Sequence, residues 1–362
     1  MRRAVLVLLV AVLTGAGASL PGVSSSYAGP RGPSGPSGSG AGSGGRGVAP
    51  VSVPKAGRAV DTSHPDHVVG SGTPASCSGR KVVRAVAKGG VITFDCGQNP
   101  VVIAMRHTAK VVNTSRRVVI DGGGLVTLSG LGKRRILYQD TCDQRQVWTT
   151  DHCDDQAHPR LVVQHLRFEA GNSTGQRFEG GGGGAIFDRG GQLKVVDTRF
   201  VDNRCDRTGP DLGGAAVRAL SQYDGRPVWV VGSTFRGGVC SNGSALSSIG
   251  VSWQVLNSRF VHNRAVGHGA NPASPGTPGG GSGGAIYTDG NTYRLTVAGT
   301  LIRHNHAREG GGAIFFVSND RTGTLHIHRS TLEDNLSEQF ETRPGIFYLG
   351  RGPIDVRRSI IR

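Results

Sequence analysis

The chain has 362 residues, with 41 Lys or Arg against 25 Asp or Glu, a formal net charge of +16, 59 glycines, six cysteines and only 6% aromatic residues. That aromatic content is too low for propeller blades, and an even cysteine count behind an export leader favours disulfides over a metal framework. Arginine carries most of the positive charge, and its planar fork suits carboxylate, sulfate and phosphate groups; the partners expected of an exported chain of this kind are acidic polysaccharides, wall polymers or anionic surfaces, not nucleic acid.

Residues 1–28 read as a secretory signal peptide. Arg2 and Arg3 precede the apolar run "AVLVLLVAVL", which is too short to span a bilayer, and cleavage is expected after Ala18 or Ala28. No later segment reaches membrane-spanning length. Residues 29–70 begin "GPRGPSGPSGSGAGSGG", hold little apolar surface and read as a flexible Gly/Ser/Pro spacer. The location expected is therefore extracellular or cell-surface.

From residue 71 onwards the pattern changes. "SGRKVVRAVAKGG" predicts a short helix, with Ser78 at its N-cap, an apolar stripe of Val82, Val83 and Val86, and Gly89 as its stop. The strand "VITFDC" follows. Sequence neighbours give the simplest disulfide pairing: Cys77–Cys96, Cys142–Cys153 and Cys205–Cys240. The middle pair sits in "CDQRQVWTTDHCDDQAH", where His152, Asp154, Asp155 and His158 leave a metal site open as the other reading.

The strongest signal is an internal repeat. The alanines of successive glycine–alanine phrases, Ala185, Ala215, Ala245, Ala285 and Ala313, lie 30, 30, 40 and 28 residues apart. A second phrase closes on a large apolar residue: Phe168, Phe200, Phe235, Phe260, Ile302 and Leu332. Asn203, Asn263, Asn305 and Asn335 each follow three positions later. Three residues before each closing position lie His165, Asp197, Gly232, Asn257, Gly299 and Arg329; Asp, Gly and Asn there suit a sharp bend with left-handed backbone angles. Short strands of period near 30, with no helix for a βαβ crossover, predict an all-β fold over 71–362: a right-handed parallel β-helix, a single-stranded solenoid with an N-terminal cap helix. Its far end has no comparable cap, so Arg357, Arg358 and Arg362 protect the last edge by charge, or a partner covers it.

The cap helix with "FDCG", then "VVIDGGG", then recurrent "GGAI…STF…N" phrases resembles the secreted bacterial β-helix proteins of the pectate-lyase-like superfamily, and the glycine phrases are similar to repeats of polymorphic outer-membrane proteins. That superfamily includes lyases, hydrolases, epimerases and non-catalytic adhesins, so the resemblance implies the fold and leaves the activity open. It implies that substrate binds beside the variable loops, here 169–182, 201–212, 236–243, 261–282, 303–310 and 333–344. A uronan-lyase reading assigns Arg207 or Arg218 as the base, with Asp188, Asp206 and Asp211 to hold Ca²⁺. Asp188 and Arg218 are expected to occupy equivalent positions in adjacent coils, on one face of the sheet. His262, Arg264, His268, His306, Arg308 and Glu309 are the substrate-binding candidates. "GHG" at 267–269 resembles a polygalacturonase motif, but the paired acids such a hydrolase needs are missing from the preceding coils. Two functions follow: binding or lyase-like cleavage of an acidic polysaccharide, or a non-catalytic adhesive surface protein.

Overall fold

The computed structural model describes residues 48–147, 149–176, 181–269 and 277–362; the expected signal peptide and the first part of the spacer lie outside them. The described chain is a parallel β-helix. Its strands form a 17-stranded, an 8-stranded and a 4-stranded sheet, and every strand-to-strand ladder is parallel. Two long strands, Arg117–Ser129 and Arg160–Glu169, run round a corner, so the largest sheet supplies two faces of the solenoid. The first face stacks, for example, Gln192–Val196, Val228–Val231, Trp253–Leu256, Arg294–Ala298 and Thr324–His328. Arg199–Val201, Thr234–Arg236, Arg259–Val261, Leu301–Arg303 and Thr331–Glu333 form the second. The third is the eight-stranded sheet, which includes Ile186–Arg189, Val217–Leu220, Leu246–Ile249 and Ile286–Asp289.

The corner between first and second faces is where the sequence pattern predicts it. His165, Asp197, Gly232, Asn257, Gly299 and Arg329 have φ values of 50, 45, 60, 51, 59 and 45°. His165 and Arg329 adopt the same left-handed geometry as the Asp, Asn and Gly, because neighbouring coils impose it. After the first of these corners, where Leu166 follows His165, the next residue in each coil is a hydroxyl pointing inward. Thr198, Ser233, Ser258 and Thr300 each donate their backbone N–H to the hydroxyl of the coil above, at 3.2 Å in every case. Inside the second face, Phe168, Phe200, Phe235 and Phe260 stack with centroids 5.2, 4.7 and 4.6 Å apart, all of them buried. At the second corner the asparagines form a buried ladder, with Asn263 Nδ2 donating to Asn305 Oδ1 at 2.8 Å and Asn305 Nδ2 to Asn335 Oδ1 at 2.9 Å. The same amides pair with backbone groups that a turn would otherwise leave unpaired. Asn263 Oδ1 accepts from Gly238 N at 3.0 Å and Asn305 Oδ1 from Asn263 N at 3.0 Å, while Asn263 Nδ2 donates to Phe235 O at 3.2 Å and Asn305 Nδ2 to Phe260 O at 3.1 Å.

The glycine pairs have two distinct jobs. Gly183, Gly283 and Gly311 have φ of 65, 70 and 66°, whereas a Cβ on Gly184, Gly284 or Gly312 would collide with a backbone carbonyl of the next coil (Arg204 O, Gly312 O and Leu336 O). One position needs glycine for its dihedral, the other for its bareness.

Helix α1, Gly79–Lys88, packs on the first strands with Val82, Ala85 and Val86 buried, and Gly89 ends it at φ 76°. The carbonyl of Ser78, rather than its side chain, accepts the first helical N–H groups. All three disulfides pair as sequence neighbours suggest: Cys77–Cys96, Cys142–Cys153 and Cys205–Cys240.

The spacer boundary is corrected. Residues 48–66 form a strap along the outside of the first face, and His67–Gly70 is already a strand, paired with Gly90–Asp95. Val51 and Val53 pack on Val196, Val231, Leu256 and Ala298, and Val60 packs on Val91, Val119 and Val162. Two side-chain amides grip the strap as a neighbouring strand would. Asn257 accepts from Val51 N at 2.8 Å and donates to Val51 O at 2.9 Å; Gln164 does the same with Val60, at 2.8 Å each way. Valines separated by Gly, Pro and Ser lack the alternation of a strand, which is why this segment reads as a linker in sequence.

The stacked rings of Phe168, Phe200, Phe235 and Phe260 link four successive coils. Phe235→Ala, with a ring on either side, is expected to cost roughly 3–5 kcal/mol, read as a fall in the urea midpoint; a change below about 1 kcal/mol would show that the coils repack around the gap.

Candidate functional site

The third face separates the residues that the lyase reading groups together. Asp188 lies opposite Ala219, and Arg218 lies opposite Phe187 and Ser247. The structural equivalent of Ala185 is Ala216, the second alanine of "GGAA", not Ala215. A slip of one residue on a strand exchanges inside for outside, so Asp188 points into the solenoid and Arg218 points out of it.

Asp188 is fully buried, accepting from Gln139 Nε2 at 2.7 Å and from Gln222 Nε2 at 2.6 Å. Burial pushes its carboxyl well above the ordinary carboxylate range, and the nearby charge of Asp140 pushes the same way against the two amide bonds. Arg218 is also fully buried, beneath the loop that precedes its own strand. It donates to Ser247 Oγ at 2.5 Å and to the Asp211 carbonyl at 2.6 Å, and burial lowers its guanidinium from the usual range. Asp206 is buried too and accepts the Gly175 N–H at 3.2 Å, tying one loop to the next. Arg207 and Asp211 are exposed. These five residues do not converge on one cleft.

Two of the substrate-binding candidates are struts of the longest loop. Glu309 is buried and accepts from Gly269 N at 2.7 Å, and His268 forms a backbone bridge with Gly279. Arg308 is exposed, and His306 is bonded to Glu338 at 2.6 Å. His262 and Arg264 belong to a different surface.

That surface is the outside of the second face and the corner beyond it. The residues on either side of each buried ring point outward, so Arg199, Arg236, Arg259 and Arg303 are set in a checkerboard: Arg199 and Arg259 share one column two coils apart, Arg236 and Arg303 the other. At parallel-strand spacing, two coils amount to about 10 Å. His262 and His304 occupy the positive-φ corner, at 57 and 54°, with their rings stacked 5.3 Å apart. Past the corner, Arg204 and Arg264 extend the strip on strand positions that bridge through Val239. Arg199, Arg204, Arg236, Arg259 and Arg264 are exposed, Arg303 is half-buried, and none of the six has an ion pair among the described residues. At the two ends the charge is cancelled: Arg167 pairs with Glu169 at 2.9 Å, and Arg362 with Glu333 at 2.9 Å. The His262 imidazole is lowered from its ordinary value, first by partial desolvation and then by His304, Arg236, Arg303 and Arg259. The surrounding positive charge disfavours its protonated form.

Sequence reasoning looks for function in the loops and passes over Arg199, Arg236, Arg259 and Arg303. The signal was present in "TRF", "TFR", "SRF" and "LIR", because a buried residue in a strand forces both neighbours outward. No family model, curated protein or solved structure matches the chain. No helix among the described residues is long and apolar enough to cross a membrane.

The environment of Asp188 has a consequence for pH. A carboxyl whose folded-state pKa is raised contributes its stability below the unfolded value of about 4 and loses it as pH rises through the folded value. Asp188→Asn keeps the shape without the charge, and Gln139 Oε1, which has no hydrogen-bond partner, is available to the new amide. Thermal melts from acidic to slightly alkaline pH are expected to show the variant gaining on the parent as pH rises; parallel profiles would mean that Asp188 ionises freely in the folded protein.

Proposed function

We propose that the protein is an exported binding module for acidic polysaccharide, and that the polymer lies along the outer surface of the second face. One observation carries this reading: six arginines on one side of a rigid solenoid, none of them ion-paired among the described residues, with His262 and His304 at the corner beside them and only His304 near a carboxylate, Asp334 at 3.8 Å. Unpaired guanidinium groups in fixed positions favour a ligand with repeated carboxylates or sulfates, since each fork accepts two oxygens. The ligand is a polymer because the charges repeat along the stack from coil to coil rather than closing around a pocket. Three disulfides suit an oxidising, extracellular location.

Binding without cleavage is the form of the reading that the geometry favours. The lyase reading requires an arginine or lysine base beside a carboxylate cluster in a groove. Here Arg218 is buried under its loop, while Asp188 and Asp206 face other partners. A resemblance to the pectate-lyase-like superfamily then extends to the scaffold and to the class of polymer, not to the reaction.

Chromatography on immobilised polygalacturonate and on heparin tests this directly. The parent protein is expected to be retained and to elute with salt, because exposed charge pairs are screened. The combined variant Arg236→Ala, Arg259→Ala and Arg303→Ala is expected to bind roughly tenfold more weakly, taking each exposed pair at a fraction of a kcal/mol. Arg207→Ala is expected to leave retention unchanged. Equal retention of parent and combined variant would remove the second face as the site, and equal affinity for duplex DNA would remove polysaccharide as the class. Ultraviolet absorbance from an unsaturated product would restore the lyase.

A further inference from the structure

Two histidines and an aspartate meet on the outside of the first face, just beyond the coil where the strap begins. His326 and His328 lie two apart on Thr324–His328, so both project outward, and Asp355 lies opposite His326 on the strand of the next coil. His326 Nδ1 and His328 Nε2 stand 3.1 and 3.2 Å from the same atom, Asp355 Oδ2. Two ligands of one ion, each at the usual distance of about 2.0–2.1 Å, are separated by roughly 3.0–3.4 Å, for octahedral and tetrahedral angles respectively. Each imidazole nitrogen therefore stands from the carboxylate oxygen at the separation that two ligands of one ion keep.

The atoms facing away are held as the outer shell of a metal site holds them. His326 Nε2 lies 3.1 Å from Thr324 Oγ1, and Arg357 Nε donates to Asp355 Oδ1 at 2.8 Å, leaving Oδ2 for the cluster. Such contacts fix ring orientation and carboxylate rotamer before an ion arrives. The strap does not cover this spot: Ala49 and Val51 lie against Gly299, one coil earlier, and the three ligand side chains are 26, 36 and 29% exposed.

We propose that His326, His328 and Asp355 bind a divalent transition-metal ion of the zinc type, with the remaining coordination positions open to water. Two imidazoles and one carboxylate suit Zn²⁺ better than Ca²⁺ or Mg²⁺, which take oxygen ligands. Bound there, the ion ties Asp355–Arg357, the last described strand of the first face, to the coil beneath it. This site is independent of the arginine strip and of any polysaccharide.

Equilibrium dialysis of the untagged full chain against zinc chloride near neutral pH, with bound metal measured by atomic emission, is the test. One zinc per chain is expected at micromolar free zinc, together with a rise in Tm that a chelator reverses and that calcium does not reproduce. Thr324→Val is expected to weaken binding by roughly 10- to 100-fold, as loss of an orienting partner does. His328→Gln and Asp355→Asn are expected to weaken it further. His328→Gln leaves the His326–Asp355 contact in place, so the coil stays anchored and a loss of zinc reports on the ligand rather than on folding. No saturable zinc uptake by the parent, or uptake unchanged in both ligand variants, would show that the cluster is a hydrogen-bonded surface network and nothing more.

Discussion

Parallel pairing between one coil and the next is the constraint on which everything else rests. A strand in a solenoid has its hydrogen-bond partners one turn above and below, so any feature of one coil must recur at the same place in its neighbours. The left-handed corner at His165 to Arg329 shows the force of this. Glycine, asparagine and aspartate enter it easily, yet histidine and arginine are also held at φ 50 and 45°, since a coil that turned elsewhere would unpair its neighbours. Hydroxyls at 233, 258, 300 and 330, and the amides of Asn263, Asn305 and Asn335, then pair with corner backbone groups. Polar ladders and the phenylalanine stack are two consequences of one register.

That same rule decided how much could be read in advance. Closing apolar residues, corner residues and asparagines recur in register with little ambiguity, so the β-helix, its bends, its cap helix and its disulfides were all legible in the sequence. The third face was not, because "GGAA" at 213–216 offers two alanines and the phrase carries no mark of which one continues the column. Choosing Ala215 places Asp188 beside Arg218 and suggests a catalytic pair. The hydrogen bond from Ile186 N to Ala216 O chooses the other, and the pair dissolves into an interior acid and an exterior base. The strap was hidden for a different reason: its valines bind to outward-facing residues of several coils, and no local periodicity records a contact made with sequence positions 100 or 200 residues away.

The strap also bears on why the charge lies where it does. A solenoid with two solvated sheet faces must give each one something to do or something to hide it. The first face carries Val196, Val231, Leu256 and Ala298 in one outward column, an apolar stripe that would promote association if left bare. The valines of residues 48–66 cover it. The second face has no such stripe and, among the described residues, no such cover; its outward columns alternate arginine with threonine, valine and leucine, and His262 and His304 stand at its corner between Gly237 and Asp334.

Charge on an exposed sheet is commonly read as protection against edge pairing or aggregation. That account fits Arg362, which is paired with Glu333 at the terminal coil, and Arg167, which is paired with Glu169 near the first. It does not fit the middle of the stack, where strands are paired on both sides and have no edge to protect. Arginines whose role was solubility alone would be free to alternate with aspartate or glutamate along the columns, as happens at both ends. Over the central coils the columns between residues 199 and 303 contain no acid; the carboxylates at their margins are Asp202 and Asp334 at the corner, the latter 3.8 Å from His304, and Glu333, opposite Arg303 on the next coil. Like charges held two coils apart repel one another, and a fold that keeps them so is less stable by itself than one with mixed columns. On the reading proposed above, a polyanion laid along the stack would relieve that repulsion over its whole length, which a ligand held by the loops would not do.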